Sequence, residues 1–414
     1  MGLRFFHIAA AVAALLFSGV ASYAQDSKLE FSTEGKVVDD ETGRPLEGVD
    51  VGTKQRGFYT VTNADGAFSI RSDSPISQLE FNFPGYISKE VLISGSQPFT
   101  VRLVSVSNLL KEALVVDGDA REIVRSAMER IPENYPVETE MFDCFYRETV
   151  RKKQKYINIS EAVTVLKKES YARRSIAKDA VSVKVGRSLA SPNPRDTLSV
   201  KVLGGPSQAV KLDVVKNSNI FLDWEEIKLY DFKMATPEII GGRWHLVIDM
   251  APNTEECSYA LYYGRLYIDQ ETLAFSRMEL SLDMSDRAKA VKMMLVHKPI
   301  GLRFFPKSML LTVSYVPDPS DGLMRLRYLR TSFEFNCDWR KRLFATSFTA
   351  VNEMVVTHRR ASDTPFGKDE AFKASEALSD HLQEFRDPDF WKDYNIIEPS
   401  ESLEHAINRI RRSK

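Results

Sequence analysis

The chain has 414 residues, 27% of them charged, with 56 Lys and Arg against 57 Asp and Glu, for a formal net charge of −1. That balance excludes a global electrostatic pull towards nucleic acid or membrane, and the length points to two or three domains. Three widely spaced cysteines, Cys144, Cys257 and Cys337, fit neither a metal pattern nor a disulfide scaffold, which leaves one optional bridge or three small buried apolar residues.

The first element is an export signal over residues 1–24. Arg4 supplies the positive start, and Ile8 to Phe17 is an apolar run too short to span a bilayer comfortably. Ser22-Tyr23-Ala24 offers small residues at the two positions a signal peptidase reads, so cleavage is expected after Ala24. No later segment approaches the length of a membrane-spanning helix, so no transmembrane segment is expected in the mature chain.

Residues 31–105 read as a small antiparallel β-sandwich. Val37 starts a strand, Asp40 to Pro45 makes a loop with Gly43 available for positive φ, and Val49 and Val51 share one face of the next strand. Asn63-Ala64-Asp65-Gly66 has hairpin chemistry between strands at Tyr59–Thr62 and Ala67–Ile70. Leu79 to Phe83 and Thr100 to Leu103 alternate between apolar and polar. Asn63 and Asp65 lack the long oxygen-rich loop that a calcium site needs, so they read as turn residues.

The Asp39 to Pro45 loop, Gly48-Val49, Thr62 to Phe68 and Pro84-Gly85-Tyr86 together resemble the carboxypeptidase regulatory-like module. The resemblance covers roughly a fifth of the chain. It implies a transthyretin-like sandwich without hydrolytic activity, of a kind found in Gram-negative cell envelopes, and hence a periplasmic location or the periplasmic face of the outer membrane.

A helix over 118–132 follows, capped by Asp119, with Glu122 three residues on and Pro132 as its stop. Ile123, Val124, Ala127, Met128 and Ile131 form its apolar stripe. From 140 to 360 the pattern is mostly strand. Ala274 to Met284 is the clearest segment, with Met278, Leu280, Leu282 and Met284 on one face and Arg277, Glu279, Ser281 and Asp283 on the other. Gly264 to Thr272 is a strand and turn, and further strands are expected at Tyr156–Leu166, Val291–Val296, Met309–Val316, Arg325–Phe335 and Ala345–Val356. Such a meander should curl around whatever fills its concave side. Ile131 to Pro136, Phe145 to Glu148 and Glu161 to Val163 resemble a region that follows this sandwich in a broad set of envelope proteins. Gly264 to Thr272 is loosely similar to the half-barrel of lipoprotein carriers.

Three features are candidates for chemistry. His381-Leu382-Gln383-Glu384 matches half of a carboxypeptidase zinc site, but the other half is missing, and an amphipathic helix with Phe372, Leu378, Leu382 and Phe385 accounts for it. Between Arg147 and Arg187 there are 12 Lys or Arg against 4 Asp or Glu, expected on a solvated strand face or against anionic lipid. Glu161 shares a face with Ile157, Ile159, Val163 and Val165, so it needs an Arg or Lys partner or a bulge that turns it out.

Residues 366–414 read as C-terminal helices and an aromatic tail packing on the sheet, with Phe385 to Pro399 irregular and Ser400 capping a helix through Leu403, Ala406, Ile407 and Ile410. The sequence therefore predicts a mainly β fold with helices: a transthyretin-like sandwich, then a curved antiparallel sheet or half-barrel. The expected function is non-catalytic binding or scaffolding, with outer-membrane or envelope proteins, lipid or glycan as partners and no nucleic acid. The alternatives are a lipid or lipoprotein carrier, a carbohydrate binder through the sandwich, and a divergent hydrolase that would gather His245, His297, His358, His381 and His405 into one cleft. No catalytic, cofactor or metal residue is assigned.

Overall fold

The computed structural model describes residues 29–53, 57–95, 97–106, 118–193, 205–218, 220, 222–254, 256–295, 300–339, 345–360, 366–367, 370–384 and 390–412. The expected export signal lies outside them, as does His297.

Seven strands build the N-terminal unit: β1 (Phe31–Asp39), β2 (Asp50–Gly52), β3 (Tyr59–Val61), β4 (Ala67–Ser72), β5 (Gln78–Asn82), β6 (Lys89–Leu92) and β7 (Phe99–Leu103). They form two sheets, β4-β1-β7 and β3-β2-β5-β6, which close on Val37, Val49, Val51, Phe68, Ile70, Leu79, Phe81 and Val101. The Asn63 to Gly66 turn forms as its chemistry requires, with Asn63 Oδ1 accepting from the amides of Asp65 and Ala67. The flanking strands do not remain a hairpin, however: β3 pairs with β2 and β4 with β1, so the turn carries the chain from one sheet to the other. Gly66 is indispensable there, because its φ is +71° and a Cβ would lie 2.3 Å from the Val37 carbonyl oxygen.

Helix α1 (Ala120–Glu129) begins where Asp119 accepts from the Arg121 amide. Pro132 does not end it. The helix stops at Arg130, and Pro132 instead occupies the first turn of a short helix α2 (Ile131–Asn134), where its missing N–H is harmless.

The large sheet comes next: β8 (Glu140–Lys152), β9 (Lys155–Lys168) and β10 (Ala180–Ala190), a short helix α3 (Gly205–Val210), then β11 (Tyr230–Met234), β12 (Glu238–Ile240), β13 (Arg243–Pro252), β14 (Tyr262–Asp269) and β15 (Phe275–Leu282). After helix α4 (Arg287–Met294) it continues with β16 (Leu302–Pro317), β17 (Met324–Trp339) and β18 (Thr346–Arg359). A two-residue β19 (Gln383–Glu384) and a terminal helix α5 (Glu401–Arg412) complete the chain. The strand order is β11-β13-β14-β15-β16-β17-β18-β8-β9-β10-β19, antiparallel except for β10–β19, curved and not closed.

Two expectations fail on helix chemistry. The sequence predicts a strand at Val291–Val296, but residues 287–294 are helix α4. Asp286 caps it by accepting from the amides of Ala288 and Lys289, and its Ala, Lys and Met residues are good helix formers. Conversely, the amphipathic helix expected through Phe372 and Leu382 is absent from residues 370–384, which hold a 3-10 turn at Leu378–Asp380 and then β19. Among the described residues α5 is therefore the one α-helix of the C-terminal region.

The inner face of the sheet is covered, and the outer face is covered over β8, β9 and β10 but open at β14. The inner face carries a core that includes Cys144, Tyr146, Ile248, Leu266, Met278, Leu280, Leu282 and Leu311. Val124 and Met128 of α1, Ile131 of α2 and the segment Val210 to Ile227 fill that face. Met278, Leu280 and Leu282 are thus core residues, with Met284 at the margin. The outer face receives the sandwich, the aromatic tail and α5. Ser400 caps α5 by accepting from the Leu403 amide, and Leu403, Ile407 and Ile410 pack on Ile159 of β9 and Leu189 of β10.

Candidate functional site

The register of the large sheet aligns one outward residue from each of ten strands. Lys233, Asp249, Arg265, Glu279, Thr312, Arg330, Glu353, Arg147, Glu161 and Arg187 face one another in consecutive pairs from β11 to β10. Their charges alternate in sign along the row, with neutral Thr312 separating Glu279 from Arg330. Opposite charges directly across a strand pair stabilise it and like charges do not, so this row holds one register against its alternatives.

Burial changes along the row. Arg265 and Asp249, 2.9 Å apart, are each about half exposed. Glu161 is only 1% exposed and takes three donors: Arg147 Nε at 2.7 Å, Arg187 Nε at 3.1 Å and Trp391 Nε1 at 3.1 Å. The partner that the apolar face of β9 demands is therefore present twice over. Burial opposes ionisation of Glu161, but the two guanidiniums outweigh it and hold the carboxyl below its ordinary value. Arg147 also donates to the Ile397 and Glu398 carbonyls, and the Arg187 guanidinium lies 4.9 Å from the Trp391 ring centre. Trp391 in turn meets Phe145 edge-on. The aromatic tail is anchored here with its rings packed inward.

The basic segment is dispersed by the fold. Arg147, Lys168 and Arg187 are buried in ion pairs, because β8, β9 and β10 are covered here; the expectation of a solvated face holds for Lys153, Lys155, Arg173, Lys178 and Lys184, which are exposed. Lys168 meets Asp179 at 2.9 Å and Asp213 at 2.5 Å, and Lys216 meets Asp179 at 2.8 Å. Tyr171 and Tyr315 donate to Asp213 at 2.7 and 2.6 Å. This closed set of charges fastens the segment around Asp213 to the inner face. A lipid carrier would need that segment and α1 to leave the face they fill.

The described histidines do not converge. His245 is buried with Nδ1 at 2.9 Å from the Arg243 carbonyl oxygen, and His358 stacks on Phe58 of the sandwich. His381 lies 3.5 Å from Glu376, and His405 lies 3.7 Å from Glu401 on α5. No group of three or more His, Cys, Asp or Glu among the described residues is placed to hold a metal ion. Cys144, Cys257 and Cys337 are all free thiols, and burial pushes the Cys337 thiol up to about 12.

An open cleft of about 540 Å³ lies beside β10. Val183 to Gly186 form its floor, Phe372, His381, Leu382 and Phe390 its apolar and aromatic walls, and Lys184, Lys373, Glu370 and Glu376 its polar rim. The chain uses the edge of β10 at both ends of this cleft. The Phe372 amide donates to the Val181 carbonyl, while Arg187 and Ser188 pair with β19. Between those points the edge pairs with no strand among the described residues. Gly186 matters here, since a Cβ would lie 2.6 Å from Leu382 and 2.8 Å from the Glu161 carbonyl oxygen. Sequence reasoning misses this cleft because it assigns the far wall to a helix.

The fold thus has two parts, a sandwich and an open curved antiparallel sheet. Residues 33–116 match the family model of the CarboxypepD_reg-like domain, in agreement with the motifs between Asp39 and Tyr86. Among solved structures the chain is similar to a DUF1329 family protein from Desulfovibrio piger, at 11% identity over 62% of this chain and 99% of that one, with a TM-score of 0.25. It is also similar to a LolA superfamily protein from Nitrosomonas europaea, at 11% identity over 61% and 99%, with a TM-score of 0.20. No curated protein matches the chain.

Proposed function

We propose that this is an exported, non-catalytic binding protein of the cell envelope that holds an extended stretch of a partner polypeptide against the open edge of β10. The observation that carries the reading is the cleft, where a strand edge pairs with no strand among the described residues between two places at which the chain's own tail already pairs with it. Main-chain pairing would supply the affinity, and the aromatic walls would select alternate apolar side chains. Export rests on the signal-like pattern of residues 1–24. The sandwich serves as an adaptor seated on the sheet, and the ionised groups around Glu161 and Asp213 are spent on holding the parts together.

A photoreactive residue placed at Lys184 in living cells tests the reading, with one at Lys233 on the opposite edge strand as reference. A discrete adduct is expected from position 184 and not from 233, and it should vanish when Val183→Pro removes an amide that faces the open edge of β10. Equal labelling at both positions, or an adduct that survives Val183→Pro, would contradict strand addition at this edge.

A further inference from the structure

The two ends of the large sheet differ in charge. At the end holding the start of β8 and of β17, cations and carboxylates are matched: Arg325 bonds Glu140 and Asp321, and Arg359 bonds Glu140. The other end gathers the β8–β9 turn, the start of β18, the end of β17, the start of β16 and helix α4. The Lys153 amide bonds the Ser347 carbonyl, Ser347 pairs with Asn336, Asn336 pairs with Phe305, and Arg287 of α4 lies over the Phe305 ring. Lys153, Lys155, Lys292 and Lys307 are all exposed on this end. Its acids are largely engaged: Asp338 by Arg303 at 2.6 and 2.8 Å, and Asp286 by the first amides of α4, with Glu334 left exposed.

Two apolar side chains stand out among these lysines. Ile300, in the turn that leads into β16, is fully exposed, and Met293 on α4 is 42% exposed. An exposed apolar residue on a lysine-rich end of the sheet matches the layered chemistry of a bilayer surface, where phosphates lie above the acyl boundary. We propose that this end of the sheet docks on an anionic phospholipid surface, with the lysines on the headgroup phosphates and Ile300 entering the boundary below them. The sandwich and the β10 cleft lie away from the bilayer in this orientation.

The test is flotation of the processed protein with vesicles of phosphatidylcholine alone and of phosphatidylcholine mixed with phosphatidylglycerol. Binding is expected to the mixed vesicles alone, weakening as salt rises. Reversal of three lysines together, Lys153→Glu, Lys292→Glu and Lys307→Glu, should lower partitioning by at least about a hundredfold, since each basic residue near such a surface contributes about fivefold and each glutamate adds repulsion. Ile300→Ser should lower it about tenfold while leaving the salt dependence in place. Lys89→Glu, on the sandwich, should change nothing. Because the triple variant alters only exposed positions, a thermal melt matching the parent chain confirms that it is folded, and the three single Lys→Gln variants serve if it is not. Equal binding to both vesicle types, binding to neither, or a triple variant that floats like the parent would overturn the proposal. The cross-link from position 184 is independent of each of these outcomes.

Discussion

Glu161 sits where a carboxylate is tolerated only with full compensation, and its three donors come from three separate parts of the chain: β8, β10 and the tail. Glu161→Ala would strand Arg147 and Arg187 in a buried site, so it should cost about 3–5 kcal/mol of unfolding free energy. Arg265→Ala, which breaks a half-exposed pair in the same row, should cost less than about 1 kcal/mol. Urea unfolding of both variants checks the contrast, and equal losses would mean that burial does not set the strength of this row. The sign of the pH effect follows from the same carboxyl. Its folded value lies below the ordinary 4.5, so its stabilisation is complete above that value and fades as pH falls further. The need for a partner is legible in the alternation of Ile157 to Val165. The identity of the partners is not, because Arg147 and Arg187 reach Glu161 only once β8, β9 and β10 adopt their register.

Elements repeat this division between local and long-range information. The long alternating strands β14 to β18 are readable because one wet face and one apolar face leave a period of two. Residues 291–294 mislead because Val291, Met293 and Met294 suit a strand as well as a helix, and only the Asp286 cap decides the matter. Helix α5 is readable from Ser400 and its apolar stripe, yet nothing in the stripe says that it lies on the outer face of β9 and β10. That placement makes a prediction. Leu403 is buried against Ile159 and Leu189, so Leu403→Ala should cost about 2–4 kcal/mol and should speed amide exchange along the outer edge of β10. A loss of stability with unchanged exchange in β10 would place the helix's contribution elsewhere. Gly186→Ala probes the same region from the cleft side. Its Cβ would push on the Glu161 backbone, so destabilisation is expected even though alanine is small.

For the whole molecule the central question is how the sandwich is held on the sheet. Asn395 of the tail exchanges two hydrogen bonds with the Arg71 backbone, at 2.7 and 2.9 Å, and Thr60 donates to the Ile396 carbonyl, so the tail is the mortar between the two parts. The direct contact has an apolar part, Val61 against Phe145 and Val355 with Phe58 on His358, and a polar part that is less completely paired. Asp50 of β2 faces Arg327 of β17 at 3.5 Å, and neither Asp50 Oδ1 nor Arg327 Nε makes a hydrogen bond among the described residues, although the guanidinium covers the Tyr59 ring. Burial pushes the Asp50 carboxyl up to about 6 against the attraction of Arg327, with Glu80 adding to the rise. A carboxyl raised on folding binds its proton more tightly in the folded state. Its penalty is therefore absent below its ordinary value of 3.8, grows as pH rises, and is complete above about 6. A rise from 3.8 to about 6 corresponds to a full penalty of about 3 kcal/mol. Lowering the pH from about 7.5 to about 5 covers only part of that range and should recover about 1.4 kcal/mol. Asp50→Asn, which imitates the protonated side chain, removes this response. Unfolding in urea at the two pH values should show the parent chain gaining on the variant as pH falls. Parallel curves for parent and variant would mean that Asp50 is ionised and satisfied at the interface throughout.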